Sequence, residues 1–179
     1  CTATQPALAA PAFRGGLEQV RELAPDPPKL FRRLRRVQVK HVGLLSDAEL
    51  TDRLRGHERV LCIVNNRRHA RAIFTSLREF DSTRHLTTLM CARHRSQALA
   101  EIRLRLHQGR PCRLVATSLI EAGVDISFPT LYRADAGLDA ISQAGGRCNR
   151  HGEYPVADSQ VLIFTPANAD WAPQPELRQ

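Results

Sequence analysis

At 179 residues, 42% of them hydrophobic, the chain fits one domain with a single buried core and leaves no room for a second full domain. Lys and Arg outnumber Asp and Glu by 26 to 18 for a formal charge of +8, which favours a polyanionic partner, nucleic acid first; on charge alone a solvated basic surface stands level with that reading. No apolar run approaches the ~20 residues that cross a bilayer and no secretory apolar region opens the chain, so no membrane partner is expected.

The chain opens on Cys1 and both ends read as cut through, so it is expected to be part of a longer polypeptide. Residues 1–30 are rich in Ala and Pro, with Pro25, Pro27 and Pro28 close together, and read as a connector with at most a short helix around Leu17 to Leu23. Strand character begins at Leu34 to Val42, where Val37 and Val39 alternate with polar residues. Ser46 and Glu49 have capping-box spacing before a short helix with Leu50 and Leu54 on one face. The apolar run Val60 to Val64 is followed by a helix with Ala70, Ile73, Phe74 and Leu77 on one stripe. His85 to Met90 reads as the next strand, and Ser96 to His107 as a helix with Leu99, Ile102 and Leu106 inward and Gly109 as its stop. Cys112 to Ser118 is a third apolar strand, Thr130 to Ala134 a fourth and Gln160 to Phe164 a closing one, while Asp139 is placed to cap a helix running towards Arg150.

Nearly all-apolar strands separated by amphipathic helices of ten to fourteen residues indicate a parallel sheet covered on both faces, an α/β doubly wound fold. In such sheets chemistry sits at the carboxyl ends of strands. Those ends carry Asn65 to Arg68, Cys91 to Arg95, Thr117-Ser118 and Ala134-Asp135, polar and largely basic. Of the five cysteines, Cys62 and Cys112 lie inside apolar runs, where a reduced thiol packs as a small hydrophobe, which suits a reducing cytoplasm.

Gln143, Arg147 and Arg150 are spaced i, i+4 and i+7, so on a continuous helix they project in one stripe that can grip an anion. Two guanidiniums that never deprotonate suit the charge spread over phosphate oxygens in phosphoryl transfer, and a nearby amide can orient a water. Gly145 and Gly146 break the helical rule, each costing about 1 kcal/mol against Ala. Either a backbone approaches closely there, or the helix ends at Gly145; on these residues alone both readings stand.

The run Val115-Ala116-Thr117-Ser118-Leu119-Ile120-Glu121-Ala122-Gly123-Val124-Asp125 resembles the fifth motif of superfamily 2 helicases, and Gln143 to Arg150 fits their sixth, Q-x-x-G-R-x-x-R, at every fixed position. Thr2-Ala3-Thr4 is similar to the third motif, which closes the first motor domain. Within that superfamily, Ile141 to Arg150, Leu89 to Arg95 and Val64 to Ala70 resemble the CRISPR-associated helicase-nuclease of type I systems. The resemblance implies a RecA-like second motor domain over residues 31–168, preceded by the end of the first motor domain and a linker in 1–30, with 169–179 starting a following segment. It implies that Arg150 is an arginine finger on ATP bound mainly by the first domain, with Arg147 beside it and Gln143 placing the attacking water. Gly123, Asp125 and Gly146 would approach the nucleotide, Thr117, Asn66 and Arg67 would hold the backbone of a tracked single strand, and Thr2 and Thr4 would couple the two activities.

The chain has no G-x-x-x-x-G-K-[ST] phosphate loop and no acidic Mg2+ motif, so those parts of an ATP and Mg2+ site are expected in the first domain, and this chain alone is expected not to hydrolyse ATP. The implied partners are single-stranded DNA, the first motor and nuclease domains of the same polypeptide, and the CRISPR RNA-guided surveillance complex, in the cytoplasm. An RNA helicase of the same superfamily and a non-catalytic basic binding module are the alternatives. Two C-x-x-H pairs, Cys91 with His94 and Cys148 with His151, would supply four zinc ligands if brought together, although structural sites more often use C-x-x-C knuckles and no metal site is expected.

Overall fold

In the computed structural model, which describes residues 16, 17, 21, 23–120 and 124–171, six strands alternate with helices: β1 (Gln38–Leu45), α2 (Asp47–Arg55), β2 (Arg59–Ile63), α3 (Arg67–Ser76), β3 (Thr83–Leu86), α4 (Ala92–His107), β4 (Cys112–Ala116), β5 (Thr130–Ala134), α5 (Leu138–Gly145) and β6 (Gln160–Pro166), after a first helix α1 (Pro27–Arg33). The chain divides into two compact units, Cys1–Arg35 and Arg36–Gln179. Thr2, Thr4 and Gly123 lie outside the described residues, as does most of the helix expected around Leu17 to Leu23. No described helix is long and apolar enough to cross a membrane.

All six strands pair in parallel in the order β1-β6-β5-β2-β4-β3. Side chains of a strand alternate between faces, so each central strand feeds two cores. Val60, Cys62 and Val64 join Val115, Tyr132, Leu162 and Phe164 under Leu50, Leu54, Ala70, Ile73 and Leu77 of the α2 and α3 layer. Leu61 and Ile63 join Leu86, Leu114, Ala116, Leu131 and Val161 under Ile102 of α4 and Ala144 of α5. The expected sheet with helices on both faces is therefore present.

Local chemistry explains the start of α2 and the end of α4. The Ser46 hydroxyl accepts from the Glu49 N–H at 3.2 Å while Glu49 accepts from the Ser46 N–H at 2.8 Å, the capping box read from the spacing. α4 stops where Gly109 takes φ +66°, which lets the Gly109 and Arg110 N–H groups return to the Leu106 and Arg105 carbonyls.

Several expected boundaries shift. The proline cluster starts a helix: Pro27 and Pro28 occupy the first positions of α1 and Asp26 accepts from the Lys29 N–H at 3.0 Å, because a missing N–H costs nothing at a helix start. With Leu34 capping α1, β1 begins at Gln38 and runs to Leu45. β3 is Thr83–Leu86, earlier than His85 to Met90, because its ladder partner among the described residues, β4, ends at Ala116. α4 begins at Ala92, a turn before Ser96, and β4 stops two residues short of Ser118 as the chain turns into a 3-10 helix at Ser118–Ile120. Asp139 is no cap; Gly137 holds that position without a side-chain bond, and Asp139 sits in the first turn, where its charge suits the helix dipole.

Two strands also carry buried arginines. Arg113 donates to the Leu54 and Arg55 carbonyls and to Ser82, and lies 4.3 Å over the Phe80 ring. These bonds and the ring contact offset the cost of burying the Arg113 guanidinium.

Burial lowers the pKa of His57, His69 and His85 from the ordinary 6.5; the charge of Arg113 adds to this at His57 and those of His94 and Arg71 at His85, whereas Asp47 opposes it at His69. Below 6.5 the unfolded chain then binds protons that the folded chain resists, so stability declines as pH falls. Urea midpoints measured between pH 7 and pH 5 should drop steadily. Ile102 is the fully buried anchor of α4 and Leu104, two residues on, is 55% exposed. Ile102→Ala should cost about 2–5 kcal/mol in chemical unfolding and Leu104→Ala no more than about 0.5 kcal/mol.

Candidate functional site

Parallel pairing sends all strand carboxyl ends to one edge, and polar side chains gather there. Asn65 and Asn66 follow β2, Thr117 follows β4 and Asp135 follows β5, on adjacent strands. Asn65 is held from two sides: Arg133 Nη1 donates to its Oδ1 at 2.7 Å, and its own Nδ2 donates to the Asp135 carbonyl at 2.8 Å. Arg133 is buried in β5 and also donates to the Ala134 carbonyl. The Asp135 carboxylate accepts from the Thr165 hydroxyl and stands 3.2 Å from His41 Nε2. This network sets the path of the chain into Asn66.

Asn66 caps α3, its Oδ1 accepting from the His69 N–H at 2.8 Å. Arg67 opens that helix and is exposed. Thr117 is buried, and its hydroxyl has no hydrogen-bond partner among the described residues. Three of the expected strand contacts thus stand at one edge.

Of the expected nucleotide-facing residues, Asp125 and Gly146 lie towards the opposite end. Residues 125–128 lead into β5, and the turn after α5 runs beside them: the Phe128 N–H donates to the Arg147 carbonyl at 3.0 Å, the Asn149 N–H to the Phe128 carbonyl at 2.9 Å and the Arg150 N–H to Ser127 Oγ at 3.0 Å. Arg150 Nε donates to Asp125 Oδ1 at 2.9 Å, and His151 Nε2 stands 3.7 Å from the same oxygen. The Arg150 and Asp125 side chains are 39% and 67% exposed, so the pair contributes only about 0–1 kcal/mol and can exchange partners. A cleft of about 620 Å3 opens beside Asp125, its walls carrying Arg59 and Arg103 together with Asp125 and Glu153, so that cationic and anionic groups balance.

The expected single stripe of Gln143, Arg147 and Arg150 does not form. α5 ends at Gly145 with Gly146 as its cap, and Asn149 takes φ +44°, so the helical phase that would align the three is lost. A Cβ at Gly146 would meet the Gln143 carbonyl at 3.2 Å, a local reason for glycine there. Gln143 stays in the last turn of α5, while Arg147 is buried and its Nε donates to the Ile120 carbonyl at 2.9 Å. That bond joins the sixth-motif turn to the fifth-motif segment, a role the spacing does not show.

Sequence marks Asn149 only through the Cys148-Asn149 pair inside the sixth-motif segment, with no structural role, yet the residue organises this end. It is 1% exposed; its Nδ2 donates to the Arg36 and Tyr154 carbonyls at 2.9 and 2.8 Å and its Oδ1 accepts from the Tyr154 N–H at 3.1 Å. Asn tolerates the left-handed region, which was the one available signal. The C-x-x-H pairs do not converge: among the described residues no three His, Cys, Asp or Glu side chains group as a metal ion needs. Cys148 is buried, donates to the Pro129 and Gln160 carbonyls, and its thiol is pushed up to about 12 by burial, against the thiolate that zinc requires.

Residues 56–153 match the family described as CRISPR-associated nuclease/helicase Cas3, C-terminal. The chain belongs to this family. It is 50% identical over 60 residues to the CRISPR-associated nuclease/helicase Cas3 of Haloferax volcanii, covering 34% of this chain and 6% of that relative. With the Cas3 of Methanothermobacter thermautotrophicus it shares 27% identity over 127 residues, 66% of this chain and 15% of the relative. The chain therefore spans only a small part of the relatives it matches. A T. fusca Cas3 structure with ATP superposes with TM-score 0.62 at 20% identity over 77% of this chain and 19% of the other. The Mycobacterium smegmatis helicase Lhr bound to ssDNA and AMP-PNP superposes with TM-score 0.55 at 16% identity over 72% of this chain and 20% of the other. These likenesses establish the RecA-like fold of the Cas3 C-terminal helicase domain.

Asn149→Ala leaves three backbone groups unpaired and keeps a left-handed backbone without the side chain that supports it. It should lower the unfolding free energy by at least about 2 kcal/mol, with Asn149→Gly recovering part through its backbone freedom, measured by urea titration.

Proposed function

We propose that this chain is the second motor domain of an ATP-dependent helicase that translocates on single-stranded DNA in CRISPR interference, in the cytoplasm, and that it completes an ATP site formed mainly by a first motor domain. The observation that carries this reading is the Arg150 to Asp125 pair: residues of the sixth and fifth motifs, 25 positions apart, meet at 2.9 Å on an exposed surface. An arginine already oriented and weakly held is a finger that can leave a carboxylate for a phosphate with little reorganisation. Arg150 stabilises the transferring phosphoryl group, Arg147 locks the turn that presents it, and Gln143 in the last turn of α5 places the attacking water. Asp125, released by Arg150, and Gly146 and Gly123 face the nucleotide sugar and phosphates. Mg2+ and the phosphate cradle are assigned to the first domain, since this chain has no matching motif.

At the other edge, the Thr117 hydroxyl, the Asn66 amide and the Arg67 guanidinium take successive phosphates of the strand. Contacts of this kind hold a backbone without reading bases, as a translocating motor requires. Thr2 and Thr4 are assigned to coupling between the domains. The partners proposed are single-stranded DNA, the first motor and nuclease domains of the same polypeptide, and an RNA-guided surveillance complex. The T. fusca Cas3 bound to ATP and the Lhr helicase bound to ssDNA share the fold and lend support to both halves of the reading.

In the full-length protein, Arg150→Ala should reduce DNA-stimulated ATP hydrolysis by about 10³-fold or more while nucleotide binding changes little. Turnover near the unsubstituted rate would remove the finger assignment. Stimulation by an RNA strand instead of DNA would favour an RNA helicase, and tight strand binding with no ATP hydrolysis would favour a non-catalytic binding module.

A further inference from the structure

The turn that follows β6 closes on the residues assigned to the strand. Asn168 Oδ1 accepts from the Asp170 N–H at 3.0 Å and the Asn168 carbonyl accepts from the Trp171 N–H at 3.0 Å, which makes residues 168–171 a tight turn. Trp171 lies flat against the His69 ring, centroids 5.0 Å apart with 6° between planes, and its Nε1 donates to Asp47 Oδ2 at 3.1 Å. The other oxygen of that carboxylate stands 3.1 Å from Nε2 of the fully buried His69, outside good hydrogen-bond geometry. Trp171 is thereby gripped by α2 through Asp47 and by α3 through His69. Its neighbour Asp170 brings a backbone carbonyl to 3.5 Å from Asn66 Nδ2.

Asn66 has only one end to offer a ligand. Its Oδ1 is committed to the α3 cap at 2.8 Å, so a phosphate oxygen must be met by Nδ2, the atom the turn engages. At 3.5 Å that contact is at the outer limit of a hydrogen bond, whereas an amide-to-phosphate bond is charge-assisted, shorter and stronger. The turn also adds Asp170 to an edge where Asp47 already carries negative charge, and both oppose an incoming phosphate that Arg67 attracts.

We propose that the Asn168–Trp171 turn is a strap latched onto the strand site, and that a nucleic-acid backbone arriving at Asn66 displaces it. This rests on the assignment of Asn66 to the strand. The hold of the strap is set by the Trp171 stack and its bond to Asp47; a bound strand takes over the Asn66 amide, moves Asp170 away, and frees the indole from His69.

Trp171 is the single tryptophan of the sequence, so emission of this chain reports the latch directly. A fluorescein-labelled oligothymidylate is titrated at low salt, with anisotropy following binding and indole emission following the strap. Emission should rise and shift to the red with the midpoint of the anisotropy curve. Trp171→Ala should tighten binding by about two- to tenfold, the range that one exchanged hydrogen bond spans. Trp171→Phe, which keeps a ring on His69 and loses the Asp47 bond, should give a smaller gain and guards against a folding defect. If Asn66→Ala weakens binding while indole emission stays unchanged and both Trp171 variants bind like the parent, the strap is overturned and the strand assignment stands. If neither Asn66→Ala nor Arg67→Ala alters binding, the strand assignment itself fails, and the strap with it.

Discussion

The backbone ladder of an all-parallel sheet is the constraint from which the rest of this structure follows. Parallel strands cannot be joined by tight turns, so each connection must cross a face of the sheet as a helix or long segment. Both faces are then covered, and the strands read as apolar runs. The same rule sorts the loops: those after strands collect at one edge, those before strands at the other. Asn66, Thr117 and Asp135 are neighbours because β2, β4 and β5 are adjacent and parallel, not because they are near in sequence.

The two edges are joined by the segment between β4 and β5. It leaves the carboxyl edge at Thr117, passes through the 3-10 helix Ser118–Ile120 and reaches Asp125 and Phe128 at the amino end of β5. The Arg147 bond to the Ile120 carbonyl ties this segment to the turn that carries Arg150. Thr117 and the turn that carries Arg150 are thereby connected through the Ser118–Ile120 3-10 helix and the Arg147 bond to it.

Buried polar groups give both edges their shape. Arg133, Asn65 and Asp135 form one network and Asn149 with the Arg36 and Tyr154 backbone forms another. Groups of this kind are costly when unpaired and specific when satisfied, so each fixes one path for a loop that hydrophobic packing leaves open. The strap at Trp171 belongs to the same class, with a stacked ring and one carboxylate in place of a core.

Features that depend on neighbours along the chain are legible in the amino-acid order alone. The capping box at Ser46 and Glu49, the stripe of Ala70, Ile73 and Leu77, the helix stop at Gly109 and the apolar strands all rest on local periodicity and backbone sterics, and the α/β class follows from their alternation. Motif order was legible as well, which brought Arg150, Asp125, Thr117 and Asn66 to attention. Tertiary structure decided the rest. The end of the helix at Gly145 is accompanied by Asn149 meeting the Arg36 and Tyr154 backbone, Arg36 being more than a hundred residues away in sequence, while Arg147 turns inward to the Ile120 carbonyl and Arg150 stays at the surface. The strand ends at β3 and β4 were set by their ladder partners, and Trp171 met His69 because β6 ends beside β1, where Ala167 donates to the Leu45 carbonyl. Pairings of this range carry no periodic signature along the chain, because they are fixed by which surfaces the folded sheet brings within a few ångströms.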